Sequence, residues 1–316
     1  MYLIPEKELY TVLQIFYCAR YKEMASADLV HELEFNDVTY QFEATNYQIR
    51  SDLLLANYKD ALVKINENKK LLSGVSDESE LKFLKSELES LLHYAAFLQN
   101  PDDSKAHKFF GRDHLLGGLT SLLAGCYYAK LDDYETALKK LHPEEDLENV
   151  AFGCYLLLLL SRTTEAEKYL KKNVNNSSAM DTIGYNQTSS WLELSKYGDD
   201  LNKSYYHYDE LSSSSNTESL KCLVCLLTAH LKLLHFPEAQ EVLDRIAAFK
   251  ADHPQSLTNW ESDLLINQIA LKFIQSKNDE ADVLLSELKA QNPDDAYLKD
   301  LAEKQELFDT VVEKYA

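Results

Sequence analysis

The chain has 316 residues, 45% of them hydrophobic, and sets 52 acidic side chains against 32 basic ones for a formal net charge of −20. This composition excludes a disordered or fibrous chain, and the charge argues against nucleic acid and anionic lipid surfaces as partners. With only 8 Gly and 6 Pro to interrupt helices, the sequence reads as all-α, at a length that suits a stack of repeats packed neighbour on neighbour.

Residues 8–27 read as a first helical pair, with Leu9, Val12, Leu13 and Phe16 on one stripe and Tyr21 opening the second helix. Residues 42–65 read as the next pair. Residues 73–79 form a polar loop. A strongly periodic helix comes next at 81–98, with Leu84, Leu88, Leu91, Leu92 and Ala95 on one face. The Asn-Pro-Asp-Asp-Ser run at 100–104 ends it, and Ser104 is placed to cap a new helix. Residues 107–113 carry no clear pattern.

Residues 122–141 are the centre of the pattern. They read as two short helices facing each other across a turn at 131–133, the first carrying Leu122, Gly125 and Tyr128, the second Tyr134, Ala137, Leu138 and Leu141. A small residue three before an aromatic lets two helix backbones approach while the ring fills the gap beside them. Gly–x–x–Tyr, then Tyr–x–x–Ala, then a bulky apolar residue is the tetratricopeptide pattern, a helix–turn–helix of about 34 residues. The step recurs at Tyr58/Ala61, at Phe236/Ala239 and, without the aromatic, at Asn278/Ala281, where Pro293 closes the unit. Ala137 to Ala239 is 102 residues, three such units, whereas Ala61 to Ala137 is 76 and Ala239 to Ala281 is 42. Divergent repeats with loop insertions fit these spacings.

Further along, 147–160 is almost wholly apolar and is expected to be buried on several sides. Residues 163–173 pair with it, with Ala166 and Leu170 inward and Thr164 as a cap, and 175–178 form a loop. Residues 182–197 and 202–211 make another pair anchored by Trp191 and Tyr205, followed by a serine-rich loop at 212–217, too short for a domain linker. Helices are expected at 220–234, 237–250, 260–274 and 279–291, and a more charged one at 296–315 as a terminal cap. The fold expected is one tetratricopeptide-like, right-handed helical-hairpin solenoid over residues 1–316.

Little in the sequence points to chemistry. Cys222 and Cys225 have the spacing of zinc and redox sites, but they sit in an apolar helix with no second ligand pair, and His230 and His235 are the nearest further donors. The five cysteines read as buried thiols of a reducing compartment. Gly117-Gly118 lacks the Gly–Lys–Ser/Thr of a phosphate loop, and the nine histidines are scattered. Asp132-Asp133, Asp199-Asp200 and Asp294-Asp295 fall at turns and read as helix caps. No catalytic residue, cofactor or metal is expected. The start lacks a basic segment before an apolar run, and the longest apolar run, 154–160, is far below the roughly 20 residues that span a bilayer. A cytosolic protein without direct membrane insertion is expected.

Taken in order, the segments resemble one family. The end, YLKDLAEKQELFDTVVEKYA from Tyr297, is similar to the end of the epsilon subunits of the COPI vesicle coat, or coatomer. Trp191 followed by Asn202-Lys-Ser-Tyr205-Tyr206 and Glu210-Leu211, Phe236-Pro-Glu-Ala239 with Val242-Leu243, and Leu9 to Tyr21 with Phe16-Tyr17 resemble that family's other helices. The resemblance implies a non-catalytic coat subunit for retrograde Golgi-to-ER and intra-Golgi transport, peripheral on Golgi membranes and COPI-coated vesicles. It also implies that the repeat array encloses the C-terminal region of the coat's alpha subunit and meets other coat subunits indirectly. The alternative is another cytosolic tetratricopeptide scaffold or adaptor.

Residues 220–234 and 264–274 are apolar nearly all round, leaving little for water. The first helix of a tetratricopeptide hairpin lines the groove. Extending the register from Ala239 and Ala281 puts Val224, Thr228 and Leu231, and Ile266, Ala270 and Phe273, on that wall as partner-binding candidates.

Overall fold

The computed structural model describes residues 9–26, 29–30, 33, 35, 37–196, 201–253 and 260–315. Every regular element among them is helical. The architecture is an all-α array of helical hairpins. The chain divides into two compact units, residues 1–217 and 218–316. The division falls at the end of the serine-rich loop.

The first unit contains α1 (Tyr10–Tyr17), α2 (Tyr21–Met24), α3 (Val38–Leu54), α4 (Tyr58–Leu71), α5 (Glu78–Gln99), α6 (Ser104–Phe110), α7 (Gly118–Lys130), α8 (Tyr134–Lys140), α9 (Leu147–Leu159), α10 (Thr163–Asn173), α11 (Ser177–Met180), α12 (Ile183–Leu194) and α13 (Leu201–Ser213). The second contains α14 (Leu220–Lys232), α15 (Phe236–Asp252), α16 (Glu261–Ile274), α17 (Asn278–Gln291) and α18 (Ala296–Tyr315).

Six hairpins share one turn. The middle residues Ala19, Ala56, Asp132, Ser161, Leu234 and Ser276 all have φ between 59° and 61°. Each closes the preceding helix with the same two bonds: at Asp132, the Asp133 amide donates to the Tyr128 carbonyl at 3.0 Å and the Asp132 amide to the Ala129 carbonyl at 3.1 Å. This left-handed closure satisfies the last carbonyls of a helix. Five residues after each turn residue comes a side chain with no solvent exposure: Met24, Ala61, Ala137, Ala166, Ala239 and Ala281. The alanines of the sequence pattern are therefore the points where the second helix of each hairpin is in closest contact. Gly125 makes the matching approach from the first helix. A Cβ there would sit 2.7 Å from Leu141 Cδ2 and 3.3 Å from Phe152 Cε1. Gly125→Leu or Ala137→Leu is expected to overpack this hairpin and destabilise it by about 1–3 kcal/mol or more, read as a lowered melting temperature. Unchanged melting in both variants would contradict the packing.

Several local expectations are corrected. Ser104 is the first residue of α6, and its cap is Asp103, which accepts from the Ala106 amide at 2.7 Å. The patternless 107–113 lies partly in α6. Thr164 is inside α10, whose N-cap Arg162 makes no side-chain cap bond. Residues 175–178 are not all loop, since α11 forms there. Leu92 of α5 is exposed, off that helix's buried face, and Tyr155 and Leu159 are exposed too, so α9 is not buried all round. Trp191 and Tyr205 are only partly buried, and the deep anchor of their pair is Tyr208. Asp133 and Asp295 accept helix-start amides as expected, while Asp199-Asp200 lies outside the described residues.

Candidate interaction surfaces

In the first unit the inner helices close on themselves. α1 packs on α3, α3 on α5, α5 on α7, α7 on α9, α9 on α12, and α12 returns to α1. The seam is specific. Ile183 packs into the cluster of Leu9, Val12, Leu13 and Phe16. Gln187 Nε2 donates to the Tyr17 carbonyl at 3.0 Å. Arg50 of α3 reaches across to Glu148 of α9 with two bonds of 2.7 and 3.0 Å, and Tyr17 of α1 donates its hydroxyl to Glu148 at 3.1 Å. The guanidinium also lies 4.6 Å from the Phe16 ring centroid and 4.8 Å from that of Tyr47. Burial alone would lower the Arg50 pKa. The Glu148 carboxylate with its hydrogen bonds, and the Tyr47 and Tyr17 hydroxyls, together outweigh this and raise it.

Inside this ring is a cavity of about 980 Å³. It is lined by nine carboxylates, by Tyr17, Tyr40, Tyr47 and Phe83, and, among the described residues, by a single cation, Arg50. Part of the acidity has a local cause. Asp37, Asp77 and Asp146 are the N-caps of α3, α5 and α9, and each accepts an amide of its own first turn. An acidic cap offsets the positive end of a helix, and here three such ends meet one space. Gly117-Gly118 serves that geometry. Gly117 has φ 95°, and a Cβ on Gly118 would fall 2.0 Å from Asp146 Oδ2. This explains the glycine pair without any phosphate.

The carboxylates also crowd one another. Burial, then the neighbouring Glu43, pushes Glu87 up to about 8, against the pull of the Leu119 amide. Burial, then Glu148, pushes Asp146 up to about 6. The cavity is therefore a concave, aromatic-walled space with more negative charge than its own residues offset. Sequence reasoning missed it because its members come from six helices spread over residues 9–184.

In the second unit the six wall candidates lie on α14 and α16, which pack side by side. Val224 and Leu231 are buried in this arrangement. Thr228 is partly buried. Its hydroxyl is within bonding distance of the Val224 carbonyl at 2.9 Å and of Asn267 Oδ1 at 3.1 Å, tying the two helices together. Ile266 and Ala270 are partly buried. Phe273 is 40% exposed, with Ile274 beside it also exposed.

The family of the coatomer epsilon subunit matches residues 5–316 of the chain. The chain belongs to the coatomer epsilon subunit family. It is 21% identical over 241 residues to coatomer subunit epsilon-1 of Arabidopsis thaliana, covering 72% of this chain and 76% of that protein. Coatomer subunit epsilon-2 of the same plant is 20% identical over 273 residues, 84% of each chain. Coatomer subunit epsilon of Caenorhabditis elegans is 23% identical over 238 residues, 72% of this chain and 76% of the relative. Of the two readings open from sequence, this one is selected over an unrelated tetratricopeptide scaffold.

Cys222 is fully buried and Cys225 partly so, both in α14. Among the described residues no group of three or more His, Cys, Asp or Glu is arranged to hold a metal ion. No helix among them is long and apolar enough to cross a membrane.

Proposed function

We propose that this coatomer epsilon family member is a non-catalytic structural subunit of the COPI coat. It binds and stabilises the C-terminal region of the coat's alpha subunit, and reaches other coat subunits through it. It serves retrograde Golgi-to-ER and intra-Golgi transport from the cytoplasmic side, peripheral on Golgi membranes and COPI-coated vesicles. Family membership supports the coat reading. The observation that supports docking on α14 and α16 is Phe273, a large apolar side chain left 40% exposed on the wall. A solvent-facing aromatic beside partly covered apolar neighbours is the composition of an interface anchor. Val224 and Leu231 shape that wall from beneath.

The test is a single substitution in the full chain. Phe273→Glu should leave helicity and melting unchanged and abolish capture of the alpha subunit in a pull-down. Leu231→Glu, at a buried position, should instead unfold the second unit. Full retention of the alpha subunit by Phe273→Glu would remove the wall from the interface.

A second seat for the same partner is supported by the charge of the first unit's cavity. Nine carboxylates around one committed arginine suit a lysine- or arginine-bearing segment. Loss of capture in a Glu43→Gln, Glu80→Gln variant, with Phe273 intact, would favour that seat.

A further inference from the structure

The final helix carries an apolar side that its own unit leaves bare. Among the described residues, α18 is buried only at its first turn, where Leu298 joins Leu265, Ile269 and Leu288 in a core cluster with Tyr297 packed against it. Beyond that turn Leu301, Leu307, Phe308, Val311, Val312 and Tyr315 are all exposed, Phe308 by 63% and Tyr315 by 88%. Isolated surface leucines are ordinary, but a continuous row of this length marks an interaction face.

The spacing of the row limits what covers it. Leu298, Leu301, Gln305, Phe308, Val312 and Tyr315 succeed one another at intervals of three, four, three, four and three. That alternation averages 3.5 residues and is the seam of a left-handed helix pair, with Gln305 as the single polar residue at an inward position. A single inward polar residue of this kind sets register. The occupant is therefore a helix. A membrane surface is disfavoured, because the helix carries five acidic side chains against three basic ones.

The flanks select which helix. Lys304 precedes Gln305 on one edge of the seam and Asp309 comes after Phe308 on the other, five residues apart. In a parallel pair in register, these are the two positions that face each other across the seam. Two copies of this chain would bring Lys304 of each against Asp309 of the other, twice by symmetry. An antiparallel pair faces each edge with its own kind and makes neither contact. Within one chain Lys304 pairs with Asp300, and Gln305 Nε2 donates to Asp309 at 3.0 Å. Both are exposed contacts one turn apart, the weak class that exchanges readily.

We propose that α18 is a self-association surface: two copies of the chain pair α18 with α18, parallel and in register, through Leu301, Gln305, Phe308, Val312 and Tyr315. The two-heptad length makes this a reversible dimer that depends on concentration.

Sedimentation equilibrium of the full chain tests it. The mass should rise from one chain to two with concentration. Phe308→Glu should weaken association by more than about tenfold, with circular dichroism and melting unchanged because the side chain is exposed. Lys304→Glu should also weaken it, and adding Asp309→Lys to the same chain should restore it. A chain that stays monomeric at all concentrations overturns the proposal, as does a dimer indifferent to Phe308→Glu. A charge-reversed double variant that fails to recover overturns the parallel register. A monomeric chain whose Phe308→Glu form loses a coat subunit from a pull-down assigns the face to that subunit's helix, and overturns the second copy as occupant.

Discussion

Arg50→Ala is expected to lower the melting temperature of the first unit's transition by roughly 10 °C, corresponding to about 3–5 kcal/mol. The two bonds from Arg50 to Glu148 hold α3 to α9, and the Tyr17 hydroxyl brings α1 to the same carboxylate. Removing the cation leaves Glu148 facing Asp146 in a space already crowded with carboxylates. The larger part of the loss is therefore the uncompensated charge, not the two bonds. Glu148→Ala should cost a similar amount for the mirror reason. The joint replacement Arg50→Met with Glu148→Leu should recover much of the loss, because an apolar pair leaves no buried charge behind. Calorimetric melts of the three variants check this. If the double variant melts as low as the single ones, the pair acts through its geometry and not through charge balance.

Glu87→Gln should do the opposite and stabilise the chain, by an amount that grows as the pH rises from about 5 to 8. Glu87 carries a folded-state pKa of about 8, raised by burial and by Glu43. A carboxyl whose folded pKa is raised contributes its stability below the unfolded pKa, near 4.5, and loses it as pH climbs through the folded value. Wild type should therefore weaken progressively between about pH 5 and 8, with Asp146 adding its share lower in that window, through its value near 6. Each tenfold change in proton affinity corresponds to about 1.4 kcal/mol. Glu87 keeps some solvent access, which screens part of that cost and leaves roughly 2–3 kcal/mol at about pH 8.5. Glutamine keeps the shape and the Asn46 contact and removes the charge. Denaturant titrations at about pH 5 and pH 8.5 should coincide for the two proteins at the lower pH and separate at the higher. Equal stability at both values would mean that Glu87 is not held away from water in solution.

Repeated chemistry was legible in the sequence, and long-range closure was not. Ala61, Ala137, Ala239 and Ala281 could be found because the close approach of two helices demands a small residue at a fixed place. The turns that precede them were harder to see. Left-handed positions are usually read from glycine, whereas here Ala, Asp, Ser and Leu occupy them. Asp103 is hard to pick out as the cap from sequence because Ser104 beside it has similar capping chemistry. The apolar character of α14 and α16 is legible in the sequence, but periodicity does not separate the buried Leu231 from the half-exposed Phe273. The ring escaped altogether. Arg50 and Glu148 are 98 residues apart, and no local pattern announces that they meet.

Closure of the ring also has a timetable. Tyr17 and Gln187 are separated by 170 residues, so α1 emerges from the ribosome long before α12 exists to receive it. At ordinary synthesis rates the delay is roughly 10–30 s. Throughout it, one side of Leu9, Leu13 and Tyr17 has no destination, and the carboxylates around Arg50 lack their final enclosure. The hairpins can form locally as they appear, but the interior can be sealed only near the end of the unit's synthesis. The nascent chain is thus an open strip before it is a ring.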